Sequence, residues 1–156
     1  MKHLFLFIAF VFTLIVSAQK TEKHIVKTTI IEFFDAFHKQ DTITMKAMVT
    51  DKIVLQSIST NNNGETILKE DDFNQFVKNI ASIPKDRKFE EKLLDFNIQV
   101  DGGMANAWVV YEFWYQEKFS HCGVNSFQLM KVNDAWKIIY LVDTRRQDGC
   151  LGNSKN

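Results

Sequence analysis

Cysteine is scarce in this chain, and so are basic runs, repeats and long apolar stretches. Cys122 and Cys150 are the only cysteines, and their spacing fits no zinc-binding pattern. His121 stands beside Cys122 and, on a strand, points to the opposite face, so the pair does not make a metal site. Lysine plus arginine match aspartate plus glutamate at 19 each. No basic run interleaves with aromatics, which excludes a nucleic-acid surface and an anionic membrane surface. No internal repeat or low-complexity segment is present. With 156 residues, 46% of them hydrophobic, there is enough chain for one core and no sign of a second domain. Nothing in the pattern calls for a cofactor.

What is present begins with an unusual first segment. Lys2 and His3 give a short positive end, Leu4 to Val16 is almost wholly apolar, and Ser17-Ala18-Gln19 supplies small residues for cleavage. Residues 1–19 therefore read as a secretory signal peptide. The apolar run is shorter than the roughly 20 residues of a membrane span, and no cysteine follows it to carry a lipid. The mature chain is expected to be secreted or periplasmic, with no membrane span. Residues 20–146 form its domain and 147–156 a polar, glycine-bearing tail, mobile apart from Cys150. In an oxidising compartment Cys122 and Cys150 either close a disulfide or remain two thiols; the sequence leaves both open.

Further along, Val26, Ile30, Phe33, Phe34 and Phe37 recur at helical spacing, which predicts a long amphipathic helix over Thr21–Lys39 packed on a sheet. Asp41 offers the N-cap of a short second helix over Ile43–Met48. Lys52–Ser59 reads as a strand, Glu65–Leu68 as a brief extended piece, and Lys69–Ser82 as a helix that the single proline, Pro84, stops. Phe89–Val100 alternates, with Leu94, Phe96, Ile98 and Val100 on one face. From Met104 to Arg146 three long antiparallel strands follow, joined by turns at Gln116–Lys118 and Asn133-Asp134.

Strict alternation along these strands then sorts the side chains. One face receives Trp108, Val110, Glu112, Trp114, His121, Asn125, Phe127, Tyr140 and Thr144. That is a set of convergent polar groups in an aromatic wall, as in a small-molecule pocket. Glu112 and His121 are its candidate acid–base pair. Trp108, Trp114, Asn125, Phe127, Tyr140 and Thr144 are its candidate ligand contacts. The other face receives Val109, Tyr111, Phe113, Met130, Ile139 and Leu141, too apolar to be left in water. A homodimer through that face is expected.

The order helix, short helix, strand, helix, long antiparallel strands, together with HCGVNSFQLMKVNDAWKIIYLVDTRR, resembles the nuclear-transport-factor-2-like superfamily. Ketosteroid-isomerase-like and polyketide-cyclase-like proteins belong to it. The likeness covers roughly Lys23 to Arg146, and its most specific part is the final hairpin, with Phe127, Leu129, Trp136 and Ile138. The resemblance implies an α+β fold: a cone-shaped, strongly curved, mostly antiparallel sheet packed on a long N-terminal helix and two shorter helices. It also implies a pocket at one end and association through the outer sheet face. No match is seen for the catalytic aspartates of ketosteroid isomerases. Within the superfamily the likeness is to exported bacterial members of no assigned activity. The resulting expectation is an exported protein that binds a small hydrophobic molecule. The alternatives are a lyase, isomerase or cyclase using Glu112 and His121, and a protein-interaction module.

Overall fold

The structure, a computed structural model, describes residues 2–151, with side chains from Thr21 onward. The expected signal peptide falls among residues whose side chains lie outside that description, as does the end of the tail. Among the described residues no helix is long and apolar enough to cross a membrane.

The chain runs α1 (Lys2–Lys39), α2 (Thr42–Ala47), β1 (Val49–Thr60), β2 (Thr66–Asp71), α3 (Phe73–Ser82), β3 (Phe89–Asp101), β4 (Met104–Tyr115), β5 (Lys118–Val132) and β6 (Ala135–Thr144). The strands form one sheet in the order β2-β1-β6-β5-β4-β3. Every neighbouring pair is antiparallel except β1 with β6, which is parallel. This is the expected α+β architecture.

The helices form where the sequence placed them, with one revision. Asp41 caps α2, accepting from Thr44 N at 3.0 Å, and Asp72 caps α3, accepting from Gln75 N at 2.7 Å. Glu70 and Asp71, expected in the first turn of α3, instead end β2, because the chain stays extended until the Asp72 cap. Val26, Ile30, Phe33, Phe34 and Phe37 on α1 are all buried. Burying each such side chain stabilises by about 1.5–3 kcal/mol, and together they fasten α1 into the concave side of the sheet. Glu22 fixes the same helix nearer its start, accepting from Lys131 Nζ at 2.8 Å and Trp136 Nε1 at 3.0 Å. At its far end Gln40 turns left-handed and donates to the carbonyls of Ile80 and Ile83, both at 2.8 Å, which ties α1 to the end of α3.

Both β-turns of the central meander have positive φ at both corners, Gln116-Glu117 and Asn133-Asp134. That backbone twist matches paired strands. Three one-residue bulges then interrupt the ladders. Leu94 is skipped between Leu93↔Tyr111 and Asp95↔Val110. Ser120 is skipped between Phe113↔His121 and Trp114↔Phe119, and Ile139 between Gln128↔Tyr140 and Leu129↔Ile138. Each reverses which face the following residues occupy.

The bulges correct the face assignments made by strict alternation. Leu94 does not share the core face of Phe96, Ile98 and Val100; it is 43% exposed. On β4, Val109, Tyr111 and Phe113 point inward, while Trp108, Val110, Glu112 and Trp114 point outward, because the Ser120 bulge pairs Phe113 with His121. On β6 the Ile139 bulge turns Leu141 and Asp143 inward and Tyr140, Val142 and Thr144 outward. The convex face is therefore made of Trp108, Trp114, Tyr140 and Met130, not of Tyr111, Phe113 and Leu141.

Candidate functional site: a phenylalanine-lined cavity with a carboxyl cluster

Between the concave sheet face and the helices lies a cavity of about 220 Å³. Phe33, Phe34 and Phe37 of α1, Phe76 and Ile80 of α3, and Phe113 of β4 supply its apolar wall. Ser57, Asp71, Glu91, Tyr111, His121, Asn125, Asp143 and Arg145 supply polar atoms from all six strands and the residue just past β6. The bulges at Ser120 and Ile139 aim His121 and Asp143 at the same space.

Asp143 is the hub. It is 7% exposed and accepts from Ser57 Oγ, from Arg145 Nε at 2.8 Å and from Tyr111 Oη at 3.2 Å. Arg145 Nη2 also reaches Ser57 Oγ at 3.1 Å. Tyr111 Oη lies 3.0 Å from the carbonyl of Thr144 as well, so its one proton is shared between two acceptors. Burial, then the charges of Asp143 and Glu91, raise the Tyr111 phenol far above its ordinary value, and it acts as a neutral donor. Gly123 makes this approach feasible. A Cβ there would lie 1.7 Å from the carbonyl oxygen of Thr144 and 2.9 Å from the Tyr111 ring.

Glu91 is the second carboxyl. Asn125 Nδ2 donates to its Oε1 at 2.6 Å. Burial pushes its carboxyl up to about 8; the Asn125 bond opposes this, the Asp143 charge adds to it, and Arg145 opposes it. Glu91 therefore carries a proton at neutral pH. Its backbone N–H donates to His38 Nε2 at 2.8 Å, which fixes His38 with its proton on Nδ1.

His121 stacks on Phe113 with centroids 5.1 Å apart and meets Tyr111 edge-on at 5.8 Å. Its Nδ1 lies 3.0 Å from Ser120 Oγ. Burial, then the Arg145 charge, lower its pKa against a smaller opposing effect of Asp143, so the imidazole is neutral at pH 7. A protonated carboxyl, a neutral imidazole and a neutral phenol thus face one apolar space, a composition suited to moving protons on a bound molecule.

Of the residues expected at the site, the structure brings together His121 and Asn125 on the cavity wall. Phe127 lies beneath it, fully buried against Phe34 at 6.2 Å between rings. Glu112, Trp108 and Trp114 lie on the opposite face, so Glu112 does not pair with His121. Glu112 is 5% exposed and accepts from Trp114 Nε1 at 3.1 Å, and among the described residues its Oε1 has no partner. Tyr140 faces outward and donates to Gln56 Oε1 at 2.6 Å, and Thr144 Oγ1 accepts from Val124 N at 3.1 Å. Cys122 and Cys150 are joined in a disulfide that holds the tail against the convex face.

Glu91, Asp143, Tyr111, Arg145 and Ser57 were missed. One signal was available for Asp143: it ends the apolar run IIYLVD, where a carboxylate demands partners. Glu91, in the polar stretch KFEEK, carried no such mark.

A cone-shaped α+β fold with a cavity between sheet and helices is that of a nuclear-transport-factor-2-like protein. The SnoaL-like domain family matches residues 26–142, and the chain belongs to it. Similar solved structures carry the same fold at low identity. A proposed dehydratase of the NTF2-like family from Streptomyces avermitilis is 14% identical, with a TM-score of 0.60, over 81% of this chain and 97% of that one. The beta subunit of a proposed aromatic-ring-hydroxylating dioxygenase from Novosphingobium aromaticivorans is 9% identical, with a TM-score of 0.66, over 82% and 91%. An NTF2-like protein from Cytophaga hutchinsonii is 15% identical, with a TM-score of 0.59, over 79% and 97%. No curated protein sequence matches the chain.

Proposed function

We propose that this protein takes a small hydrophobic molecule into the phenylalanine-lined cavity and moves a proton on it, as an isomerase or lyase does. Glu91 is the acid, neutral His121 the base, and Tyr111 the hydrogen-bond donor that polarises the bound molecule. Asp143 and Arg145 hold Tyr111 in place. The observation that carries this reading is Glu91: a part-buried carboxyl on the cavity wall, held by Asn125, that keeps its proton at neutral pH in the same cavity as an imidazole without one.

The test is hydrogen–deuterium exchange into a bound molecule. Ligand retained by the protein from its native host is identified by mass spectrometry, then followed by NMR in deuterated buffer. Exchange at one carbon with the native chain, lost in Glu91→Gln and in His121→Ala, is the expected result. A ligand that binds without exchange leaves a binding protein, the second reading. That reading is favoured by one fact: every oxygen of Asp143 is already occupied by a donor from the chain itself.

The setting we propose is outside the cytoplasm, supported by the apolar segment after Lys2 and the Cys122–Cys150 disulfide. We also propose self-association through the convex face, where Met104, Trp108 and Met130 are 56%, 55% and 41% exposed. Sedimentation at micromolar concentration should show twice the monomer mass, reverting in Trp108→Glu.

A further inference from the structure

The cavity has a throat. His121 and Arg145 line it from within, and the same two side chains line an open hollow of about 630 Å³ on its outer side, with Thr60, Ser120, Arg146 and Asp148. The inner space has an apolar wall of phenylalanine, leucine and isoleucine side chains and, at about 220 Å³, is smaller than the roughly 300–1,000 Å³ typical of drug-sized ligands. The outer space is polar. A molecule that extends from the cavity past His121 and Arg145 places one end in this hollow, beside two guanidinium groups.

Arg145 is held in a fixed pose. Its Nε donates to Asp143 at 2.8 Å and its Nη2 to Ser57 at 3.1 Å, while its backbone N–H donates to the carbonyl of Ile58 at 3.0 Å. Those bonds use two of five side-chain donors. Among the described residues Nη1 has no partner, and the side chain is 51% exposed. Arg146 makes no ion pair among the described residues. Its Nη2 touches only the carbonyl of Gly149, at 3.3 Å, and its backbone is pinned to Cys122 by bonds of 2.8 and 2.9 Å. The disulfide between Cys122 and Cys150 closes the segment behind it. Asp148 is the sole carboxylate on the hollow's wall. Asp143 lies deeper and already accepts from three donors of its own.

Resting on the proposed reaction cavity, we propose that its substrate is an amphipathic acid: an apolar body among the phenylalanines and a carboxylate at the throat on Arg145 and Arg146. A planar guanidinium whose remaining donors point one way is preorganised for a carboxylate. The arrangement also separates the charge from the reacting carbon, which lies inside with Glu91 and His121. A neutral ligand of the same shape would leave the outward donors of Arg145 to water.

The experiment is calorimetric titration at pH 6.5 with a series of straight-chain and phenyl-substituted carboxylic acids, each beside its own primary amide. At least one acid should bind ten-fold or more tightly than its amide. In Arg146→Gln that acid should lose three-fold or more in affinity while its amide is unchanged. In Arg145→Lys, which keeps the charge beside Asp143, the acid preference should fall by a similar factor. If no acid in the series exceeds its amide ten-fold, or if both arginine variants keep the full preference, the proposal is overturned. The same titrations in Glu91→Gln separate the two ideas. Acid preference that persists there, with no deuterium exchange in the native chain, removes the proton transfer and leaves the substrate class standing.

Discussion

The two faces of this one sheet each bury a carboxylate beside an aromatic residue, and they treat it in opposite ways. On the concave face Asp143 accepts from a serine, a tyrosine and an arginine, and Glu91 next to it holds a proton. On the convex face Glu112 has a single donor, Trp114, and an oxygen with no partner among the described residues. The concave carboxyls belong to a connected network whose members set one another's protonation. The convex one stands across the strand pair from Cys122, outside any such network. Burial alone does not make a site; connection to other titratable groups around an open space does.

The concave face is lost most completely by a change at Gly123. Gly123→Ala puts a methyl group 1.7 Å from a backbone oxygen that cannot step aside. The expected loss exceeds the usual overpacking range of about 1–3 kcal/mol, and no cooperative urea transition should survive. Removing the disulfide comes next. Cys122→Ser with Cys150→Ser opens a loop spanning 28 residues and should cost roughly 3–4 kcal/mol in the loop-entropy picture. Urea midpoints of the oxidised native chain and the double variant measure it.

Glu91 sets the two faces apart through pH. Its folded pKa is raised, from 4.5 to about 8, so the folded state holds a proton that the unfolded chain releases earlier. The stability this contributes is complete below the unfolded value and is lost as pH rises through about 8. Native stability should therefore fall by an amount on the order of a few kcal/mol between pH 5 and pH 8.5. Glu91→Gln, which imitates the protonated acid, should lack that decline and be the more stable chain at the upper end. Denaturation across that range is the measurement. The smallest effect is expected at Glu112→Gln. It keeps the Trp114 bond and should shift stability by less than about 1 kcal/mol, with no change in ligand affinity. An equal pH effect in both variants would erase the distinction between the faces.

Much of the fold was readable because it depends on signals spread over many residues. The phenylalanine stripe of α1, the cap at Asp41 and the two turns each follow from side-chain chemistry at known spacing, and they stand where the sequence put them; the start of α3 does not, because the sequence ran that helix from Lys69 and the chain stays extended to Asp71. The site was readable only in part because strand parity is a sum of single steps. One extra residue, Ser120, moves Glu112 off the face of His121, and another, Ile139, exchanges Tyr140 and Thr144 for Leu141 and Asp143. Neither bulge contains glycine or proline, so neither announces itself in the sequence. His121 and Asn125 kept their places because both lie on β5 on the same side of its bulge. The pairing of Cys122 with Cys150 was open in the sequence because closure depends on where the tail lies, which is a property of the finished sheet.

The parallel seam between β1 and β6 has a consequence in time. Ser57 and Asp143 meet across 86 residues of chain, whereas β3 to β6 pair through turns of two residues. Closing so long a loop is the slow step of such a topology. The meander should therefore assemble first and β1 dock last, bringing Ser57 to a carboxylate already in position. In a refolding experiment followed by pulsed hydrogen exchange, amides of β4 and β5 should gain protection before those of β1. The network around Asp143 then comes into being only at the final closure, and a chain that has lost β1 will have lost the site while keeping most of its sheet.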